Sequence, residues 1–465
     1  MFNDILGKGK MSMSENSKGM NIITSYTVPI KCQMEVESGK AMSTHKVDDS
    51  LMKSTRDVCM EALRFCVDVY LREWNEIHGT IYKARMRKCD VLVHSTVTNK
   101  AKYPEFDKMF PYMPSYTRRA IVKKALGIVS SYKTNHGKWE KTDVSKRGKE
   151  PTLGMPTVFE LTFYDQERKL DFDESIISLK LFDGCTWEWY HFRIQNSDAR
   201  FIRNMASGRK LLSPVIDKTR RGYSIRFGFK EKKALVQNED QLEHFVLAVD
   251  LGINAPGSWC VMTSDGSVHA RGVIHLACDE DRLRHLINRK RMFQKSGKKH
   301  HYVFRQINNA NKKLSVDTSR EIMRIAVLYN VDVIVFEHLD KKGRKHGRYR
   351  ERIHMWRSSD VQRRVELQAH RNGMRISRVC AWGTSSLAFD GTDKVKRGRD
   401  SEKTNDNYSL CEFQTGKVYN CDLNAAYNIG ARYFLRAYSR LPDCPELPNA
   451  SKRTYNMLRD LMMVS

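Results

Sequence analysis

Three acids stand out by their neighbours. Asp250 closes the run His244-Phe-Val-Leu-Ala-Val-Asp250, Glu337 closes Val331-Asp-Val-Ile-Val-Phe-Glu337, and Asp422 follows Asn420-Cys421 and opens Leu423-Asn-Ala-Ala-Tyr-Asn-Ile429. A carboxylate placed after an apolar run is costly to bury unless it has a partner or an ion. Asp250 and Asp422 each have a plainer use, as a strand-end turn before Gly252 and as a helix N-cap. Glu337 has none. Gathered at one sheet edge, three carboxylates are hard oxygen ligands that suit Mg2+ or Mn2+. Two such ions activate a water and stabilise the leaving 3′ oxygen of a phosphodiester. The eleven cysteines contain no Cys-x-x-Cys, which argues against a disulfide framework and an ordinary zinc ribbon.

The acids lie far apart in the chain and must meet through folding. Continuous apolar runs read as buried strands, which puts one at 244–250 and another at 331–337. Between them, Trp259–Thr263 and Val268–Leu276 are strands joined by a tight turn at Ser264-Asp-Gly-Ser267. A basic helical region follows, then a helix at Thr318–Asn330 with Ile322, Ile325 and Tyr329 on one face. After Asp422, the spacing of Ala426, Gly430, Tyr433 and Ala437 predicts a helix whose N-cap is Asp422.

Upstream, residues 1–20 read as a flexible tail and Ile22–Val36 as one strand. From Ser54, Val58, Ala62, Phe65 and Val69 form one helical stripe beside Leu63, Cys66, Tyr70 and Trp74. A helix after Pro114 sets Arg118, Arg119, Lys123 and Lys124 against Ile121, Ala125, Ile128 and Val129. Short alternating strands between Pro151 and Lys233 predict a small antiparallel barrel with the helices inserted in it.

Composition sets the partner class. In 465 residues, 81 Lys and Arg face 54 Asp and Glu, a net charge of +27. A surface that positive belongs beside a polyanion, most often nucleic acid. With 40% hydrophobic residues, the chain buries real cores. No apolar run matches a membrane span or a signal peptide, so a cytoplasmic, soluble protein is expected.

Leu247-Ala-Val-Asp-Leu-Gly-Ile253, Val333-Ile-Val-Phe-Glu-His-Leu339 and Asn420-Cys-Asp-Leu-Asn-Ala-Ala-Tyr-Asn-Ile429 resemble the three split RuvC motifs of the TnpB family, from which compact type V CRISPR effectors derive. The third is the most specific, with Cys421 in place of the family's alanine. The resemblance covers about 240–436. It implies a multidomain α+β protein: an RNase H-like (RuvC) α/β nuclease domain plus a β-barrel wedge domain with an inserted helical recognition domain. The corresponding boundaries are 21–50 and 146–240 for the wedge, 51–145 for recognition, 241–381 and 420–465 for the nuclease domain, and 382–419 for an insertion.

The activity so implied is RNA-guided DNA cleavage. Asp250, Glu337 and Asp422 would be catalytic and hold Mg2+ or Mn2+, with guide RNA and target DNA as partners, and a monomer or homodimer on one guide. In such systems the protein reads a short flanking motif and duplex shape, while base pairing reads sequence. The family's four-cysteine zinc finger is reduced here to Cys411, with Gln414 where the next cysteine is expected. One cysteine cannot make a tetrahedral site, so no zinc is expected. Arg397 and Arg399 in this insertion would contact the scissile phosphate.

Two basic runs frame the motifs. One carries Arg284, Arg289, Lys290, Arg291, Lys295, Lys298 and Lys299; the other carries Lys342, Arg344, Lys345, Arg348 and Arg350. Beside a nuclease centre they would track a phosphate backbone, as would Arg118, Arg119, Lys123 and Lys124. Other readings stay open: an unguided transposase or junction-resolving nuclease on the same scaffold, or a guided binder that cuts little. An actin-like ATPase would need a second Gly-rich phosphate loop, which is not seen.

Overall fold

The computed structural model describes residues 19–37, 40–79, 81–219, 222–236, 241–252, 255–297, 301–339, 357–404, 407, 409–442 and 444–464. The expected tail therefore lies almost wholly outside the described residues. Internal contacts divide the chain into two compact units, Ile23–Glu231 and one built mainly from Lys232–Ser465. No described helix is long and apolar enough to cross a membrane.

The first unit opens with β1 (Met20–Pro29), β2 (Cys32–Glu37) and β3 (Lys40–His45). The single strand expected over Ile22–Val36 is thus two. The chain breaks after Pro29, where the Ile30 N–H reaches Tyr223 O and the Lys31 N–H reaches Arg193 O, each at 2.9 Å, so β1 and β2 serve different sheets. Helices follow: α1 (Asp49–Arg72), α2 (Trp74–Ile77), α3 (Tyr82–Val93), α4 (Glu105–Met109) and α5 (Ser115–Glu140). Asp48 caps α1 by accepting the Ser50 N–H at 2.8 Å. Leu63, Cys66 and Tyr70 of α1 are buried in one core with Ile121, Ala125 and Val129 of α5.

The chain then returns to strands: β4 (Leu161–Thr162), β5 (Arg168–Asp171), β6 (Ile176–Phe182), β7 (Trp187–Arg193), α6 (Asn196–Ala206), β8 (Lys210–Leu211), β9 (Val215–Thr219) and β10 (Gly222–Lys233). They form two five-stranded sheets, one ordered β1-β10-β9-β4 with β8 on β10, the other β3-β2-β7-β6-β5. This corrects the barrel expectation: among the described residues no ladder closes either sheet on itself or joins the two. The shared strand pattern could not distinguish two sheets from one closed one, because both need the same alternation.

The second unit is built on one sheet. β11 (Val246–Asp250), β12 (Gly257–Met262) and β13 (Val268–Ile274) are antiparallel neighbours, and β14 (Val333–His338) and β15 (Arg375–Cys380) run parallel to β11, giving the order β13-β12-β11-β14-β15. The crossovers are α7 (Ala277–Lys295) with α8 (His301–Leu328), then α9 (Ser358–Arg371). A hairpin of β16 (Leu410–Glu412) and β17 (Val418–Asn420) leads into α10 (Cys421–Tyr438), and α11 (Tyr455–Val464) ends the unit.

The apolar runs are continuous because both sheet faces are covered. Leu247, Val249, Ile334 and Phe336 pack with Ile322 and Ile325 of α8 and Val365 of α9. Val246, Ala248, Val333 and Val335 pack with Ala426, Ile429 and Tyr433 of α10. Gly430 permits that approach: a Cβ there would lie 2.5 Å from Met262 Sδ and 3.2 Å from Ala248 Cβ.

Candidate active site

Asp250 and Glu337 end neighbouring parallel strands. β11 and β14 stay in register from Val246 beside Val333 to Val249 beside Phe336. One residue further, the two acids come level at the strands' carboxyl ends, the edge at which open α/β sheets bind ligands. Strand alternation gives them the face that carries Val246, Ala248, Val333 and Val335, which is the face covered by α10.

Asp422 enters from the first turn of that helix. The expected N-cap role falls instead to Asn420, whose side chain accepts the N–H groups of Asp422 (2.9 Å) and Leu423 (3.0 Å). An amide that caps leaves the neighbouring carboxylate available. A Cβ added to Gly252 would lie 3.6 Å from Asp422 Oδ2, so the acid stands against the chain leaving β11.

The electrostatics bind the three into one group. The Asp250 carboxyl is pushed well above the usual carboxylate range, first by burial and then by the charges of Glu337 and Asp422, with Arg397 opposing. Glu337 is raised by burial against a Thr384 hydrogen bond and the Arg432 charge. Asp422 is raised by burial against Arg397. Among the described residues, no three His, Cys, Asp or Glu side chains are gathered as a ready-made ion cage. The acids are close enough to repel, and they have not converged.

Around them, α10 carries a stripe that the sequence reading gave no role. Asn424, Asn428 and Arg432 share one helix face and are buried. The Asn424 Nδ2 donates to Leu387 O and its Oδ1 accepts the Phe389 N–H. The Asn428 Nδ2 donates to Thr384 O and Leu387 O, and its Oδ1 accepts the Tyr455 N–H. Arg432 spreads its guanidinium over the carbonyls of Cys380, Trp382, Ser451 and Arg453. Together they fix the segment that carries Thr384, whose hydroxyl hydrogen-bonds Glu337. The available signal was two asparagines and an arginine at helical spacing in an otherwise apolar helix.

Arg397 lies beside Asp250 and Asp422, and its half-buried guanidinium keeps Nη2 without a hydrogen-bond partner. Arg399 is exposed on a 3-10 turn. Across β12, Ser258 pairs with Asp250 and its buried hydroxyl has no partner. Cys411 is not isolated: it hydrogen-bonds the buried thiol of Cys421, which lowers the Cys411 pKa and raises that of Cys421.

The basic candidates separate. Arg118 is buried and pairs with Asp90 at 3.2 Å, which corrects its reading as a phosphate contact. Lys123 is exposed, Arg119 lies over the Tyr116 ring, and Lys124 lies over Phe159. On α7, Arg289 covers Phe293, Lys290 covers Phe304, and Arg291 is exposed. Lys298, Lys299, Lys342, Arg344 and Lys345 lie outside the described residues.

The Aq_aa04 family model matches residues 39–183. No curated protein matches the sequence. Among solved structures, the chain is similar to the protein of a Cas12f1–sgRNA–target DNA complex, with 13% identity over 88% of this chain and 98% of that one and a TM-score of 0.50. The chain shares the Cas12f1 fold. It is also similar to CasPhi-2 (Cas12j) bound to crRNA and phosphorothioate DNA, at 10% identity over 95% and 94% of the chains, with a TM-score of 0.47. These are type V CRISPR effectors, the group that the three motifs resemble.

Proposed function

We propose that this chain is an RNA-guided DNA endonuclease. Its second unit acts as a RuvC-like nuclease of the RNase H type, with 382–419 as an insertion. The first unit holds guide and heteroduplex through wedge strands and the helices at 51–145. The observation that carries the reading is the level placing of Asp250 and Glu337, one residue beyond the register of β11 and β14, while Asn420 frees Asp422 from capping. The Cas12f1 fold, described in complex with a single-guide RNA and target DNA, supports the same partners.

The donor set fits Mg2+ or Mn2+. Three buried carboxylates, of which Asp250 feels the charges of both others, stand beside the unpartnered Ser258 hydroxyl and form a site whose charge an oxygen-seeking dication would balance. Asp250, Glu337 and Asp422 would hold it. Bound there, the metal supplies an activated water and neutralises charge on the leaving 3′ oxygen. The chain's own contribution is orientation: Thr384 fixes Glu337, Asn428 holds the Thr384 carbonyl, Arg432 holds the preceding Cys380 and Trp382 carbonyls, and Arg397 sets a positive charge beside Asp250 and Asp422.

The test is to purify the protein from cells carrying its native locus and sequence the RNA that accompanies it. One abundant structured RNA with a variable end is expected, and with it Mg2+-dependent cutting of a matched DNA that Asp250→Asn abolishes. RNA-free protein, or random fragments, would move the reading to an unguided nuclease on the same fold.

A further inference from the structure

Beside the acids, the second unit contains a cavity of about 550 Å3, within the range of roughly 300–1,000 Å3 typical of small-ligand sites. It begins at Leu251 and Gly252, directly after Asp250, and extends between α7, α8 and the start of α9. The buried lining is mixed: Asn311, Ser315 and Thr318 of α8 and Ser358 are polar, Leu251 and Val361 apolar. Ser315 donates its hydroxyl proton to Asn311 O at 3.0 Å and Thr318 donates to Leu314 O at 2.8 Å, which leaves both oxygens as acceptors. Ile287 and Leu314 supply apolar walls, and Arg284 and Arg357 stand at the margin. The Arg357 guanidinium makes no hydrogen bond or ion pair among the described residues.

A slot with apolar walls, buried hydroxyls and the cations Arg284, Arg291 and Arg357 against the single acid Glu280, which accepts the Leu276 N–H, suits one nucleotide, with the base inside and the phosphate outside. The cavity lies on the α8 and α9 face of the sheet, opposite α10, and meets the acids only at the strand edge, where a Cβ on Gly252 would come within 3.6 Å of Asp422 Oδ2. We propose that this cavity receives the base of a nucleotide next to the scissile phosphate in the single strand being cut. This rests on the nuclease reading above and deepens it. Seating one base in the slot would lead the neighbouring phosphate round the strand edge at Gly252 toward Asp422, and the Ser315 and Thr318 oxygens favour a base with an exocyclic amino group.

The experiment uses the full-length protein with its co-purifying RNA and single-stranded DNA carrying one 5-iododeoxycytidine, moved position by position, with photocrosslinks mapped by mass spectrometry. Cleavage of the same strands is read in parallel. Crosslinks to α7 or α8 from one position relative to the cut are expected. They should fall about tenfold or more when the slot is filled by Ser315→Phe or blocked from its exposed margin by Asn288→Trp, the second variant leaving the core untouched. Strands that are cut with no crosslink to α7 or α8, or with crosslinks unchanged by Asn288→Trp, overturn the cavity proposal and leave the nuclease reading intact. Strands that crosslink there but are never cut refute the nuclease reading and keep the cavity as a base site.

Discussion

Replacing Asn428 by alanine should loosen the active site without touching any acid. Asn428 is fully buried, and its amide is bonded to Thr384 O, Leu387 O and the Tyr455 N–H, all at 2.9 Å. Leu387 O keeps a second donor, Asn424 Nδ2 at 2.9 Å. The variant therefore strands two backbone groups, Thr384 O and the Tyr455 N–H. At about 1–3 kcal/mol for each unsatisfied buried group, the cost is about 2–6 kcal/mol. Asn424→Ala strands only the Phe389 N–H, about 1–3 kcal/mol. The double variant also strips Leu387 O of both donors, so it should cost more than the sum of the two, by roughly 0.5–3 kcal/mol. Native-state hydrogen exchange of the peptides spanning 384–389 and 453–457 measures these local openings. Cleavage should fall with Asn428→Ala, because the loop that seats Thr384 on Glu337 is released. An Asn428→Ala protein whose exchange lies within about 0.5 kcal/mol of wild type, or strictly additive effects, would refute the argument.

Three further outcomes follow from the same geometry. Without divalent metal, the raised pKa of Asp250 means that the folded state holds its proton to higher pH than the unfolded chain does, so this group's penalty is absent below the unfolded carboxylate pKa and grows as pH rises through the folded value. In EDTA, the Tm advantage of Asp250→Asn over wild type should widen from acid to neutral pH; a gap constant with pH contradicts the crowding of the three acids. Arg397→Ala should reduce cleavage while leaving the affinity for bound nucleic acid within about threefold, whereas an equal loss of both would make Arg397 a general backbone contact. Neutralising Arg289, Lys290 and Arg291 together should flatten the salt dependence of nucleic-acid binding, while Arg118→Ala, which breaks the pair with Asp90, should lower stability and leave the slope unchanged.

The second unit was more legible than the first for a physical reason. Its strands are covered on both faces, so Val246–Val249 and Val333–Phe336 appear as unbroken apolar runs whose ends are marked by acids. In the first unit, the strands alternate, and alternation reports one buried face without saying which sheet a strand joins; the break after Pro29 and the division into two sheets left no such mark. β15 and α9 escaped notice because Arg375–Cys380 sits at the sheet edge and carries Arg375 and Arg378, which dilute its apolar pattern. Arg118 misled for a related reason: helical spacing puts it beside Arg119, but its partner Asp90 lies on α3 and only the tertiary fold brings them together.

The replacement of Asp422 by Asn420 as the N-cap carries a consequence for how this site works. A capping carboxylate is spent on backbone N–H groups, which stabilise its charge and hold its pKa down. With Asn420 in that role, Asp422 receives no such bond and its pKa is raised by burial instead. The first turn of α10 thus delivers an acid to the strand ends of β11 and β14 while a neutral amide does the structural work. Exchanging the roles, with Asn420→Asp and Asp422→Asn together, should preserve the helix, since an aspartate caps as well as an asparagine. The same exchange should abolish cleavage, because the charge would then be held by the Leu423 N–H and turned away from Asp250. A double variant that cuts at the wild-type rate would show that charge anywhere in this turn suffices, and the distinction between cap and ligand would fall.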